Sequence, residues 1–454
     1  MLLASPDTAD YVDYSHLPLF AKSDFCRFWI FANGAEEVGI EGSGTLGANS
    51  PAFVTERLET HAKARNPRAQ SVVFLGCRDV VVRGIRILNA PSWPLRPAGR
   101  DRVLLEGITI LNELGLANSD GIDIDCSRSV RVVNCHVEAG DDAISIKGRH
   151  EIAAAGYGAC EDIVVSGCVL ESHCRAFRLG SESHMDFRRI VFSNSTIRRS
   201  HRGIAIDGRD DVLFEDVLVS NITVNTIHSP RVWWHEGEPI WISMVPDVAA
   251  HYAAKHKAAI NPVTGECCQT GVARLRNIAI TSEQGIYIQG ADNVPHPTDI
   301  TFDSVRIHLC KHTRHPAGFA DPRPNRPGSM VADSKSIEED IPWGKLFRHD
   351  IPGFFLDRTK DITLRDCRVT WAESMPDVYT HALEAHASPG LVLENFHGTA
   401  ARPGLDAVVL HESYSHPFPK IPPDPPENFF PMVSQSRRGH GNQPVDPPLL
   451  ERDF

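Results

Sequence analysis

The sequence lacks an excess of basic residues, a membrane-spanning run and closely paired cysteines. Its formal net charge is −12 over 454 residues. That argues against nucleic acid and membrane as partners, since anionic surfaces of either kind need clustered positive charge. No apolar run approaches the roughly 20 residues that cross a bilayer. Residues 1–10 carry neither a basic n-region nor an apolar h-region, so no signal peptide is expected. None of the 11 cysteines forms a CxxC pair. Cys77, Cys135, Cys168 and Cys367 read as one repeated core position rather than a disulfide framework; Cys267 and Cys268 fall in a loop-like stretch. These features predict a cytoplasmic protein, unless an export signal has been removed. No Walker loop, Rossmann fingerprint, nucleophile elbow or zinc-ligand spacing occurs. Neither a cofactor nor a metal is expected.

What the chain does have is a repeat. A turn residue, then apolar–x–apolar, then two or three polar or small residues, then apolar–x–apolar recurs along it. Copies include CRDVVVRGIRI (77–87), RDRVLLEGITI (100–110), SRSVRVVNCHV (127–137), CEDIVVSGCVL (160–170) and RRIVFSNSTI (188–197). Further copies are RDDVLFEDVLV (209–219), PTDITFDSVRI (297–307) and TKDITLRDCRV (359–369). Successive copies from Val80 to Val212 are 22 to 33 residues apart. Period-2 alternation with β-branched residues marks strands with one buried face. No helical period lies between them. Short strands at this spacing predict a right-handed parallel β-helix, an all-β solenoid in which each coil packs only on its neighbours.

A second strand type lies between the copies: DGIDID (120–125), DAISIK (142–147), RAFRLG (175–180), RGIAID (202–207), EPIWIS (238–243) and QGIYIQ (284–289). The third and fifth residues are apolar and should point inward. The fourth should point outward: Asp123, Ser145, Arg178, Ala205, Trp241 and Tyr287. A uniform core beneath a varied outer row is the pattern of a binding face. The β-helix is expected to form one domain, 1–414, with loop insertions at 245–271 and 310–348 that could wall a groove. The Pro-rich tail, 415–454, cannot add coils. The exposed coil ends and this tail are compatible with a homo-oligomer.

Asp120 and Asp142 are 22 residues apart, which is one coil, so Asp120, Asp141 and Asp142 should converge. Crowded carboxylates raise at least one pKa. A protonated acid beside ionised partners is what glycoside hydrolysis requires. The same convergence could instead make a Ca²⁺ site or a structural stack.

The run NSDGIDID…VEAGDDAISIK resembles the polygalacturonase family, glycoside hydrolase family 28, which carries Asn-Thr-Asp and, one coil later, Gly-Asp-Asp. The resemblance covers roughly 19–216 and includes IEGSGTL (40–46) and NAPSWPL (89–95). It implies inverting hydrolysis, with Asp141 as general acid and with Asp120 and Asp142 holding and deprotonating the water. Asn118 opens the first motif. Two family motifs are missing. Gly-His-Gly should fall within His173 to Ala176, its His matching Cys174 or Arg175. Arg-Ile-Lys, which grips a galacturonate carboxylate, should fall at Ala205-Ile206-Asp207. Without that clamp, plain polygalacturonate is not the expected substrate.

Further candidates surround the cluster. Arg175, Arg178 and Arg202 continue the aspartate columns and could bind an acidic group or neutralise the aspartates. Lys147 is placed to tune them, and Asp123 to neighbour them. Asp125 reads as a solvated turn residue. His173 and His184 flank one strand and could assist proton transfer. Trp233, Trp234 and Trp241, beside Glu236 and Glu238, offer aromatic faces and carboxylates to a sugar. The leading expectation is a glycosidase, exo-acting on an oligosaccharide or glycoside. A polysaccharide lyase or uronate epimerase, and a non-catalytic carbohydrate-binding solenoid, are the alternatives.

Overall fold

The alternating strands coil as the repeat requires. The computed structural model describes residues 1–17, 20, 26–99, 101–209, 212–228, 235–244, 269–270, 273–290, 296–320 and 347–412. Within them the chain is a right-handed parallel β-helix with one sheet of twenty strands and one of thirteen. The larger sheet is built by the repeated phrase. Val80, Val103, Val130, Ile163 and Ile190 are register partners on successive coils. After Ile190 the register departs from the sequence reading, because Val217 stacks on it rather than Val212.

The reason lies in the backbone. Each phrase bends at its centre at a left-handed position: Gly84, Gly107, Asn134, Gly167, Asn194, Asn221, Asn277, Ser304 and Asp366 all have positive φ, as do residues near its start such as Asp79, Arg102 and Ser129. Gly takes this conformation freely and Asn at small cost, so most copies of the phrase carry Gly or Asn at the centre. Residues 212–219 offer two apolar–x–apolar pairs, and the bend at Asn221 selects the second. The amide of Asn277 donates to Asn221 at 2.8 Å, and that of Asn221 to Asn194 at 3.1 Å. Cys135, Cys168 and Cys367 follow this bend, whereas Cys77 opens its phrase in the column of Cys160, so they are two core positions rather than one. All nine described cysteines are free and buried.

The second strand type builds the smaller sheet: β1 (Ile122–Asp125), β2 (Ile144–Gly148), β3 (Arg175–Ser183), β4 (Arg202–Gly208), β5 (Ile240–Met244), β6 (Ile286–Gln289), β7 (Phe354–Asp357), β8 (Leu383–His386) and β9 (Val408–His411). Ile122, Ile144, Phe177, Ile204 and Ile240 point into the core, as do Ile124, Ile146, Leu179, Ile206 and Ile242. Between them runs one outward row: Asp123, Ser145, Arg178, Ala205, Trp241, Tyr287, Phe355 and Glu384. Cys267, Cys268, most of the insertion 245–271, the centre of 310–348 and the tail from 415 lie outside the described residues. No described helix is long and apolar enough to cross a membrane.

Candidate functional site

The aspartates meet because β1 and β2 stack in register, Ile122 on Ile144. The Gly121 N–H donates to the Asp142 carbonyl at 2.9 Å. Asp141 is held from two sides: the N–H of Asn118 donates to Oδ2 at 2.9 Å, and that of Asp142 to Oδ1 at 3.0 Å. Asn118 is in the left-handed region, with φ at 58°, a geometry Asn tolerates. Its contribution to Asp141 is therefore a backbone one, while its side-chain oxygen accepts from Arg68. The motif glycines have a steric cause. A Cβ on Gly121 would lie 2.2 Å from the Ala143 carbonyl oxygen, and one on Gly140 would lie 2.3 Å from that of Leu116. Gly121→Ala is expected to cost about 1–3 kcal/mol through overpacking. An unchanged urea midpoint would mean the coils have room that this geometry denies.

Burial and charge then separate the carboxyls. Burial raises Asp120 well above its usual value, helped by the charges of Asp123 and Asp141. Burial and the neighbouring Asp142 raise Asp141 as well. Asp142 goes the other way. Against the effect of burial, Arg178 and Arg175 hold it at about 2. Arg178 donates from Nη1 to Asp142 at 2.8 Å and from Nε to Asp207 at 2.9 Å. Arg175 lies 3.6 Å from Asp142 and 3.4 Å from Asp207. Two arginines and two aspartates thus form a buried quartet, with a third arginine, Arg209, 3.7 Å from Asp207. Lys147 sits 3.2 Å from Asp123 and 3.7 Å from Asp120, with its ammonium over the Trp93 ring.

Burial lifts Asp123 to about 6 despite Lys147 and Arg96. Between roughly pH 4 and 6 the unfolded chain releases this proton while the folded protein keeps it. Asp123 therefore costs stability as pH rises, by at most about 3 kcal/mol. Asp123→Asn should match wild type at pH 4 and exceed it in urea resistance at pH 7. A gap that stays constant with pH would remove this titration.

Several expectations need revision. Asp125 is not a solvated turn residue: it is fully buried and paired with Arg96 at 2.6 Å. Arg96 from the preceding coil and Arg149 from beyond the following strand take the place of solvent there. His173 and His184 do flank β3, but at opposite ends of it. His184 follows the C-terminal end of β3, its ring edge-on to His150, whereas Asp141 and Asp142 precede β2. His173 stacks on His201 at 4.3 Å, and burial lowers its pKa to about 4. Trp241 is buried, stacked on Tyr287 and covered by the Arg202 guanidinium at 4.1 Å. Arg202 pairs with Glu238 at 3.0 Å, and Glu238 also accepts from the Glu236 N–H. Trp233 and Trp234 lie outside the described residues.

Three participants escaped the sequence reading. Asp207 registered only as a lost cation, yet it is the anion that binds Arg175 and Arg178; its spacing of one coil from Arg178 was the available signal. Arg96, on the coil before Asp123, is the partner of Asp125. His235 arrives from a loop and puts Nε2 3.1 Å from the Cys174 sulfur, with no periodic signal to betray it. Cys174 stands beside Asp141, since β2 and β3 align Asp142 with Arg175. Its thiol is pushed well up by burial and by Asp141 and Asp142, so it remains protonated. Asp141, Asp142 and Cys174 bring ligand atoms within 4.8 Å of one another. Because Asp142 already meets two guanidiniums, the oxygen cage of a Ca²⁺ site is disfavoured there.

Chemically, this patch offers a raised carboxyl next to a depressed one, both buried. Comparison with known proteins bears on the family. A Vitis vinifera probable polygalacturonase is 25% identical over 238 residues, 50% of this chain and 48% of that one. The chain thus spans about half the length of that relative. A Zea mays exopolygalacturonase is 22% identical over 315 residues, 67% of each chain. The structure of a Yersinia enterocolitica family 28 exopolygalacturonase superposes with a TM-score of 0.58 at 14% identity, covering 88% of this chain and 68% of that one; this likeness concerns the fold. Residues 19–317, both aspartate motifs among them, match Glycosyl hydrolases family 28, and the chain belongs to that family.

Proposed function

We propose that the protein hydrolyses an O-glycosidic bond with inversion, acting from one end of an oligosaccharide. Asp141 protonates the leaving oxygen, Asp142 takes a proton from the attacking water, and Asp120 positions that water. The observation that carries this reading is the opposite displacement of two adjacent carboxyls, Asp141 raised and Asp142 held at about 2. An acid and a base working at the same pH need that separation. The exo-acting reading draws support from the Zea mays relative, which is named an exopolygalacturonase.

The substrate in this proposal is not plain polygalacturonate. Ala205 and Asp207 stand where the family carries its clamp. Arg175 and Arg178 are matched to Asp142 and Asp207, and Arg202 to Glu238. A uronate carboxylate would have to displace a buried aspartate to reach any of these guanidiniums. The test is a screen of nitrophenyl glycosides and pectin-derived oligosaccharides, with wild type beside Asp141→Asn. Released sugar should appear and should vanish in the variant. An ultraviolet-absorbing unsaturated product would indicate a lyase instead, and activity confined to polygalacturonate would overturn the substrate assignment.

A further inference from the structure

Six coils beyond β2, about 29 Å along the same sheet face, lies a cluster that the proposed hydrolysis does not use. Glu384 and His386 are two residues apart on β8, so both point outward. His349 comes from the segment leading into β7. Its Nε2 is 3.2 Å from Glu384 Oε1, and the Nε2 of His386 is 2.7 Å from the same oxygen. All three ligand atoms lie within 4.8 Å of one another. The rings are held from behind: His349 packs on Phe355 at 4.5 Å between centroids, and His386 stacks on His411 at 4.5 Å. Glu384 is 8% exposed and His386 2%.

The chemistry of the donors separates this cluster from the aspartate patch. Asp125, Asp142, Asp207 and Glu238 each meet an arginine. Among the described residues, Glu384 meets two imidazoles and no ammonium or guanidinium. Two imidazole nitrogens and one carboxylate oxygen form a donor set for a borderline divalent ion, zinc foremost. The spacing also suits it. Bonds of about 2.0–2.1 Å in a tetrahedron set neighbouring donors about 3.3 Å apart, and the nitrogen–oxygen distances here are 2.7 and 3.2 Å. A slight opening of the triangle admits the ion.

We infer that His349, Glu384 and His386 bind one zinc-like divalent ion and are its ligands among the described residues. The bound ion clips the segment before β7 onto β8. Sequence spacing conceals the site, since His349 precedes Glu384 by 35 residues. The experiment uses the full chain, stripped with chelator and titrated with Zn²⁺ in a calorimeter, then with Co²⁺ while its visible spectrum is recorded. One equivalent should bind, with the spectrum of low-coordinate Co²⁺. Glu384→Gln and His386→Ala should each weaken binding at least about tenfold, the loss that outer-shell changes alone can cause. His397→Ala, an exposed control, should change nothing. Glu384→Gln keeps the side chain's shape, so the fold is retained and its loss of affinity is interpretable. Absence of saturable binding, or equal affinity in wild type and Glu384→Gln, would overturn the site.

Discussion

Asp141→Asn should lower kcat on the best glycoside by about 10²–10⁴-fold with little change in KM. The amide keeps the shape of the carboxyl and its one oxygen can accept from the Asn118 N–H, at the cost of the bond from the Asp142 N–H, but it has no acidic proton to give. The defect should depend on the leaving group. A nitrophenolate departs without much protonation, so nitrophenyl substrates should lose less than alkyl or sugar glycosides. Equal losses on both would deny Asp141 the acid's role. The fold should not suffer. Asp141 is raised by burial and by Asp142, and a carboxyl raised in the folded state costs stability once pH exceeds its unfolded value. Relief of that charge opposes the loss of the Asp142 N–H bond, so the variant should stay within about 2 kcal/mol of wild type in urea at pH 7.

Arg178→Met should be the most destabilising single change in the site, at about 3–5 kcal/mol, the usual cost of stranding a buried charge. Arg178 joins Asp142 to Asp207, and all three side chains are at most 5% exposed. Without it Arg175 faces Asp142 and Asp207 with only Arg209, 3.7 Å from Asp207, to help. The pH dependence gives the mechanism away. In wild type Asp142 is depressed to about 2, so its stabilising contribution is complete above the unfolded value near 4 and is lost only as pH falls through about 2. In the variant burial dominates and the pKa rises, so the stability gap between the two proteins should be wider at pH 7 than at pH 3. Under the proposed mechanism the acid limb of kcat should move upward too. A gap independent of pH would place the damage in packing, not charge.

Much of the architecture was legible because a solenoid is nearly one-dimensional. Period-2 strands, Gly or Asn at the bend and a coil of 22 residues between Asp120 and Asp142 are all local patterns. They brought Asp120, Asp141 and Asp142 together without reference to any distant residue. The same logic failed where two phases of one pattern compete, as at Val212 and Val217, and where a column must be assigned to a single residue, as for Cys77.

The outward row was readable as identities but not as partnerships. Arg178 was visible; that it bridges Asp142 and Asp207, 36 and 29 residues away, was not. Asp125 looked solvated because nothing near it in sequence announces Arg96, 29 residues earlier. His235 and His349 come from segments outside the strand repeat, and only the folded chain sets them against Cys174 and Glu384.

The sequence by itself determined the coil, its inward face and the meeting of the motif aspartates, since each follows from backbone conformation and side-chain alternation within one or two coils. Tertiary structure alone decided which carboxyls are raised and which depressed, which arginines are already matched and which histidines share a carboxylate. Those depend on burial and on distances of a few ångströms between side chains from different coils and loops, and electrostatic energy at that range varies too steeply for spacing along the chain to predict.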